Sequence, residues 1–498
     1  MAGVPLVEFR IADTNAVYRG ASLDQLMAGA GREVAAFLGR LRPPPRRVLI
    51  VAGRGNNGGD GLAAATRLPA AARVTVLLAE GEAAYGEGGP AWNALRAVRR
   101  RKSIRRLAWG PDTAERARRE LAEADVVLDC LLGSGIRGPP RAPYGELIRR
   151  VNRAKGHVVS VDVPSGFPFR PAVRPRTTLT IEAAKVGMTR ANSGRIVPVH
   201  IGFPPQAWTH TGPGELLLIP PVPAHARKED RGVLAVVGGG PYSGAPALSA
   251  LAAYACGAGL VHVFTPASVA DVVRRFDPTL VVHPLPGGHL APEHASAVLR
   301  DLRDRRCAAL AIGPGLGRAA ATMAAVRTLV RSCPLPTVVD ADAIRAVSAL
   351  GRGGALRHAV VTPHAGEFRA FCGAQAGPAN DEAARQRAAE KAARDRRTTV
   401  LLKGRVTVIT DGGRTKLNDA GVPAMAVGGT GDVLTGATGA LLAKGLTPFD
   451  AARAAAFLCG KAGELAFEDL GHSMMPPDLI RNIPRVLARH LAWWGGRP

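Results

Sequence analysis

From position 22 onward, apolar residues recur at helical spacing. Ser22 offers an N-cap, with Gln25 three residues on in a capping-box pattern. Leu23, Leu26, Met27, Ala30, Val34, Phe37, Leu38 and Leu41 then share a face, and Pro43-Pro44-Pro45 stops the run. This spacing predicts the first helix of the chain. Short continuous apolar runs follow at Val48–Ala52, Val74–Leu78, Val126–Leu132 and Val158–Val163, with a weaker one at Leu179–Ile181. Such runs suit strands buried on both faces, as in a parallel sheet covered by helices. A Pro-rich passage, Phe203-Pro204-Pro205 and Ile219-Pro220-Pro221-Val222-Pro223, has little periodicity and reads as a linker.

The alternation then restarts. Strands are predicted at Val233–Val237, Leu260–Phe264, Leu280–His283, Ala308–Ile312, Thr337–Val339, Ala359–Thr362, Thr399–Leu402 and Val406–Thr410. The expectation is α/β architecture in two tandem domains, residues 1–212 and 213–498. Gly232 to Ala270 carries no Asp, Glu, Lys or Arg, yet Gly238-Gly239-Gly240-Pro241, Gly257 and Pro266 break it. It reads as strand, loop, helix and strand rather than a membrane span.

Composition changes this picture little. The 498 residues are 47% hydrophobic and 21% charged, which excludes disorder and fibrous repeats. Net charge is +25, and of 65 basic residues 9 are Lys and the rest Arg, a skew that reads as codon bias. The densest run, Arg99 to Arg106, lacks interleaved aromatics and reads as a solvated face, so no nucleic-acid and no membrane partner is expected. The six cysteines form no C-x-x-C pair and no His clusters beside them. A reducing, cytoplasmic setting fits, and no signal-peptide pattern opens the chain.

Candidate chemistry sits where apolar runs end. Val48–Ala52 leads into Gly53-Arg54-Gly55-Asn56-Asn57-Gly58-Gly59-Asp60-Gly61, five glycines and two asparagines before a helix. Glycine lets backbone approach a ligand, and a helix N-terminus offers free N–H groups. The run is neither G-x-G-x-x-G nor a P-loop. Val126–Leu132 contains Asp129 and enters Gly133-Ser134-Gly135-Ile136-Arg137-Gly138-Pro139, and Val158–Val163 contains Asp162 and enters Pro164-Ser165-Gly166. Three Gly-flanked strand ends with Asn57, Asp129, Asp162 and Ser165 predict one shared pocket.

Gly-Asn-Asn-Gly-Gly-Asp-Gly, the Asp129 turn and Val-Asp-Val-Pro-Ser-Gly together resemble the NAD(P)H-hydrate epimerase family, the YjeF N-terminal domain, over roughly the first 210 residues. The resemblance implies a Rossmann-like fold that interconverts the R and S epimers at C6 of hydrated NADH or NADPH. It implies that Asn56, Asn57, Gly58, Gly59 and Asp60, with Gly133, Ser134, Gly135, Ile136, Arg137, Gly138 and Pro139, line the hydrate. Asn57, Asp129 and Ser165 would hold a potassium ion, and Asp162 would be catalytic. Thr178–Gly187 resembles a family stretch with a Lys, which marks Lys185.

In the second half, Gly428-Gly429-Thr430-Gly431-Asp432 precedes a helix. Its backbone N–H groups can form an anion hole, and an Asp there suits a general base on a hydroxyl beside a terminal phosphate. Further ligand loops are Gly238–Ala247, Ile312–Gly317, Val339–Ala343, Thr362–Glu367 and Leu402-Lys403-Gly404. An isolated His such as His364 is more often structural, but it follows an apolar run beside Pro, Gly and Glu. From about His225 to the end this resembles the ADP-dependent NAD(P)H-hydrate dehydratases of the ribokinase-like superfamily. The resemblance implies that Ala247, Gly315 or Gly317, and His364 contact the hydrate, and that Lys403, Gly404, Arg405, Val406, Thr407 and Gly431 contact the nucleotide. Asp432 would deprotonate the C6 hydroxyl of the S epimer, with Mg2+ on the ADP. It also implies a homo-oligomer. A ribokinase-type small-molecule kinase would share Gly431 and Asp432 but leave the first half unexplained. An RNA-binding scaffold would suit the charge, but Asp129, Asp162 and Asp432 argue against it.

Overall fold

The computed structural model describes residues 3–350, 356–373, 375, 377 and 380–491. The chain forms two compact units, Met1–Pro205 and Gln206–Pro498. This division falls N-terminal to the boundary expected at 212, because the residues just before it belong to the second unit: Thr211 donates from N to the Leu417 carbonyl (2.8 Å) and from Oγ1 to Asn418 Oδ1 (2.7 Å).

The first unit holds a seven-stranded sheet. Its strands are β1 (Arg47–Ala52), β2 (Arg73–Leu78), β3 (Arg105–Ala108), β4 (Val126–Cys130), β5 (His157–Val161), β6 (Thr177–Ile181) and β7 (Arg195–Val199). Their order is β3-β2-β1-β4-β5-β6-β7, and all pairs are parallel. Each predicted run became a strand, with Val126–Leu132 ending early at Cys130. β3 and β7 escape prediction because they are the sheet edges: β3 is exposed at three of its four positions, and Pro198 interrupts the short apolar run of β7.

The helix capped by Ser22 is present at Leu23–Gly39, with the full capping box. It is not the first, since Leu6–Tyr18 precedes it. That helix lacks a clean apolar stripe: Val7 and Tyr18 are exposed, while Asn15 is buried. The Arg99–Arg106 run closes the helix Pro90–Arg99 and opens β3. Glu82 pairs with Arg99 and Arg106, and Glu120 with Arg105, at exposed or half-exposed positions.

The second unit holds a nine-stranded sheet. It comprises β8 (Val233–Val237), β9 (Leu260–Pro266), β10 (Val281–Leu285), β11 (Ala309–Ile312), β12 (Thr337–Val339), β13 (Ala359–Val361), β14 (Thr399–Leu402), β15 (Thr407–Thr410) and β16 (Thr415–Asn418). The order is β10-β9-β8-β11-β12-β13-β14-β15-β16. Pairs are parallel through β14, after which β15 and β16 run antiparallel. Only β16, polar and alternating, had no apolar run to mark it.

Two Ala-rich helices, Thr430–Ala443 and Pro448–Leu470, are buried along most of their length. Gly436 lets Thr430–Ala443 cross the helix Gly244–Ala255 closely: a Cβ there would lie 1.9 Å from the Ser249 carbonyl oxygen. Among the described residues, no helix is long and apolar enough to cross a membrane. The Gly232–Ala270 stretch is indeed strand, loop, helix and strand.

Candidate functional site

Strand order reverses direction at β1 and β4 in the first unit. Open parallel sheets bind ligands at such a switch, beyond the carboxyl ends of the strands. A cavity of about 560 Å³ lies there, lined among others by Gly55, Asn56, Asn57, Asp60, Gly133, Ser134, Gly135, Ile136 and Asp162. Gly58, Gly59, Arg137, Gly138 and Pro139 are not among its lining residues.

The glycines of the first loop serve packing more than ligand approach. A Cβ on Gly58 would lie 1.6 Å from the Gly53 carbonyl oxygen, and one on Gly61 would lie 2.6 Å from Cys130 Sγ. The helix Asn56–Ala65 is thereby pressed onto the sheet, buried from Asn57 onward. Gly55 alone has open space beside it.

Sheet register assembles the carboxylate network. Asp129 pairs with Val51 on β1 and with Ser160 on β5. Its carboxylate accepts hydrogen bonds from Ser165 Oγ (2.5 Å), Ser165 N (2.9 Å) and Ser160 Oγ (2.7 Å). Burial still raises the Asp129 pKa, outweighing those bonds. Asn57 is 7% exposed, and its side-chain O and N are both buried without a hydrogen-bond partner. An orphaned amide oxygen is costly in a protein interior. Asp129 and Ser165, expected with Asn57 as cation ligands, carry the oxygen donors a hard alkali cation takes, but both are fully buried, bonded to each other and absent from the cavity lining. No group of three His, Cys, Asp or Glu gathers for a metal among the described residues.

Asp162 takes φ +66°, a left-handed conformation that costs a non-glycine residue about 1–3 kcal/mol. Its Oδ1 meets Lys185 Nζ at 2.6 Å, and its Oδ2 accepts from the Ser134 N–H at 3.1 Å. Lys185 is 1% exposed, also donates to Thr180 Oγ1 and the Ile181 carbonyl (2.9 Å each), and stands 4.1 Å from the Phe9 ring centroid. Gly133 sits where a Cβ would contact both Asn57 Cβ (3.3 Å) and Asp162 Oδ2 (3.4 Å). Burial, then Asp162 and Asp13, push the Asp60 carboxyl well up.

Phe9, Arg10 and Asp13 also line this cavity and were not expected. They lie on the Leu6–Tyr18 helix, which carries no apolar signature, so nothing in the sequence drew attention to them. Asp13 is solvent-exposed at the rim, yet surrounding protein, then Asp162, raise its carboxyl.

In the second unit the order reverses at β8 and β11. Glycines lock the strand-end loops together. Gly239 N donates to the Pro314 carbonyl at 2.8 Å. Gly315, at φ +69°, lies under the Tyr242 carbonyl oxygen, 2.2 Å from a Cβ placed there. Gly317 (φ +74°) abuts Pro241, and Ala247 is buried within Gly244–Ala255.

Asp340, just after β12, is the hub of this end. It accepts from Thr362 Oγ1 (2.6 Å), Thr435 Oγ1 (2.7 Å) and Lys403 Nζ (3.0 Å). Burial would raise its pKa, but Lys403 and these hydrogen bonds bring it below its ordinary value. Burial likewise disfavours the Lys403 cation, but Asp340, Glu367 and Asp432 hold its pKa up. A Cβ on Gly431 would lie 3.5 Å from Lys403 Nζ. Asp432 opens the helix Thr430–Ala443, and burial followed by the Asp340 charge lifts its carboxyl from 3.8 to about 7, against the pull of Lys403.

Lys403 to Val406 link β14 and β15; Thr407 opens β15, and its Oγ1 donates to the Gly404 carbonyl at 3.3 Å. Arg405 is exposed and Val406 buried. His364 caps the helix Ala365–Cys372: its Nδ1 accepts from the N–H groups of Gly366 (3.0 Å) and Glu367 (3.3 Å). This is the structural role a lone His usually has, although the ring remains 61% exposed. A second cavity, about 620 Å³ beside β10 and the helix His294–Asp304, contains none of the predicted residues.

A family model described as NAD(P)H-hydrate dehydratase matches residues 233–485, and one described as YjeF-related protein N-terminus matches residues 23–187. A bifunctional NAD(P)H-hydrate repair enzyme, Nnr, of Hyperthermus butylicus is 40% identical over 500 residues, spanning 97% of this chain and 91% of that protein. The chain belongs to the bifunctional NAD(P)H-hydrate repair enzyme family. The family's Pyrobaculum aerophilum member is 38% identical and covers 98% of this chain and 99% of its own length. Among solved structures, the ADP/ATP-dependent NAD(P)H-hydrate dehydratase of Bacillus subtilis, co-crystallized with ATP/Mg2+, is 26% identical, with TM-score 0.47 over 56% of this chain and 96% of that one.

Proposed function

We propose that this chain repairs hydrated nicotinamide dinucleotides in two reactions. The first unit equilibrates the R and S epimers at C6. The second dehydrates the S epimer to NADH or NADPH at the expense of ADP, yielding AMP and phosphate. Family membership supports both halves. The observation that carries the reading is Asp432, a carboxyl with pKa of about 7 at the mouth of a Gly-rich anion loop. A general base works best with a pKa near the working pH.

In the second unit, Asp432 takes the proton of the C6 hydroxyl. The freed oxygen attacks the terminal phosphorus of ADP, and the bond to AMP breaks. The ring nitrogen then expels phosphate from C6, and a proton leaves C5, restoring the ring double bond. Phosphorylation turns hydroxide, a poor leaving group, into a good one. Lys403 and the backbone of Gly404 to Thr407 and Gly431 hold the nucleotide, and Mg2+ bound with it would offset its phosphate charge. Ala247, Gly315, Gly317 and His364 border the hydrate.

In the first unit, Asp162 handles the proton at the C6 hydroxyl while the C6–oxygen or ring bond opens and recloses. Lys185 orients this carboxylate through its 2.6 Å contact. Asn56, Asn57, Asp60 and Gly133 to Ile136 surround the ring. A potassium ion on Asn57, Asp129 and Ser165 would supply fixed positive charge for substrate oxygen or phosphate.

The test is stoichiometric. S-hydrate, ADP and Mg2+ should give one AMP and one phosphate per reduced nicotinamide. Phosphorylation of a vitamin alcohol by ATP, with no hydrate turnover, would instead indicate a ribokinase-type kinase.

A further inference from the structure

Arg385 stands on the helix Glu382–Arg396 and is 5% exposed. Its Nη2 donates to the Lys403 carbonyl at 3.2 Å. The guanidinium lies flush against the next residue, for a Cβ on Gly404 would fall 2.3 Å from Nη2 and 2.8 Å from Cζ. Among the described residues Arg385 has no carboxylate within ion-pair distance, and the remaining residues of the chain include no Asp or Glu. Burial lowers its pKa, and only Glu382 draws it back. Arginine does not deprotonate in proteins, so the charge stays. A buried cation with no carboxylate in contact is costly. Such a charge is expected to be balanced by something that arrives.

We infer that Arg385 is a positioning residue for the nucleotide: it anchors the Lys403–Thr407 turn from behind and adds positive charge that a bound nucleoside diphosphate balances. The inference rests on the function proposed above for that turn. Arg385 holds the Lys403 carbonyl, while the next two residues, Gly404 and Arg405, are exposed. A Cβ at 404 would push the guanidinium out of this position.

The experiment compares wild type, Arg385→Met and Arg385→Gln as full chains. ADP affinity is read by calorimetry, steady-state KM values are read for ADP and S-hydrate, and Tm is read without ligand. The expected result is an ADP Kd raised at least tenfold, a hydrate KM within twofold of wild type, and a ligand-free Tm unchanged or higher. A purely structural arginine would do the opposite, lowering Tm with ADP affinity intact. An ADP Kd within threefold of wild type overturns the inference, and so does an equal loss of affinity for both substrates. If Arg385→Met does not fold, Arg385→Gln gives the same readings with a smaller change in polarity. Failure of the wild type itself to bind ADP would overturn the proposed function first and this inference with it.

Discussion

Asp432 should leave two opposite marks on the protein, one in activity and one in stability. Its carboxyl is held at about 7 rather than its ordinary 3.8, by burial and by Asp340. The acting form is the carboxylate, so dehydration should follow its ionised fraction. With a pKa of about 7 that fraction falls from about 90% at pH 8 to about 1% at pH 5. Turnover should therefore drop about ninetyfold across this window, whereas a carboxyl at its ordinary value would lose less than a tenth. Lys403 pulls the pKa down, so Lys403→Met should move the acid limb to higher pH.

The stability mark has the reverse sign. A carboxyl whose folded pKa exceeds its unfolded pKa binds its proton more tightly when folded. Its destabilising effect is complete above about pH 7 and absent below its unfolded value. The full difference corresponds to about 4 kcal/mol, reduced by solvent at this partly exposed position to about 1–2 kcal/mol. Asp432→Asn should abolish dehydration yet raise the Tm of the second unit by a few degrees at pH 8, with no gain at pH 4. The assay follows absorbance of reduced nicotinamide from S-hydrate with ADP and Mg2+, after subtracting the enzyme-free rate. A turnover that stays flat from pH 8 to pH 5, or an active Asp432→Asn, would refute the assignment.

Three further perturbations separate local roles. Lys185→Met strands the buried Asp162 charge, so chemical denaturation should show a loss of about 3–5 kcal/mol, mostly recovered in Lys185→Met/Asp162→Asn; an unchanged midpoint in the single variant would deny the pair its importance. Gly58→Ala should cost about 1–3 kcal/mol by forcing the helix off the Gly53 carbonyl, while Gly55→Ala should stay within about 0.5 kcal/mol, both read from denaturant midpoints. Replacing potassium by lithium should slow epimerisation without changing dehydration of pure S epimer. Equal epimerisation in both salts would remove the cation from Asn57, Asp129 and Ser165.

The sequence was most legible where burial is two-sided. Val48–Ala52 and Val233–Val237 are unbroken apolar runs because helices cover both faces of a parallel strand, and such a run has no other economical reading. Edges broke the rule: β3 presents polar side chains to solvent, and β16 buries polar Lys416 and Asn418, so neither has an apolar run. The Leu6–Tyr18 helix hid for a related reason, since apolar Val7 and Tyr18 point outward and polar Asn15 points inward. Losing that helix lost Phe9 and Asp13 from the cavity. Strand-end chemistry was readable as residue type: Asn57 and Asp162 meet in the cavity, whereas Asp129 and Ser165, expected in the same pocket, are buried against each other and do not line it. Which glycine faces a ligand and which faces a carbonyl was not, because Gly55 and Gly58 differ only in what lies beside them. Asp340 shows the same limit, for a charge hub is defined by partners distant in sequence, here Thr362, Lys403 and Thr435.

The central claim is that one chain carries both reactions. A mixture of R and S hydrates with ADP, Mg2+ and potassium tests it directly through recovery of reduced-nicotinamide absorbance. The wild type should recover the whole mixture faster than spontaneous epimerisation permits. Asp162→Asn should recover the S fraction quickly and the remainder at the spontaneous rate, and Asp432→Asn should recover nothing. Single-phase, complete recovery in Asp162→Asn, or no recovery in wild type with ADP or ATP, would contradict the account.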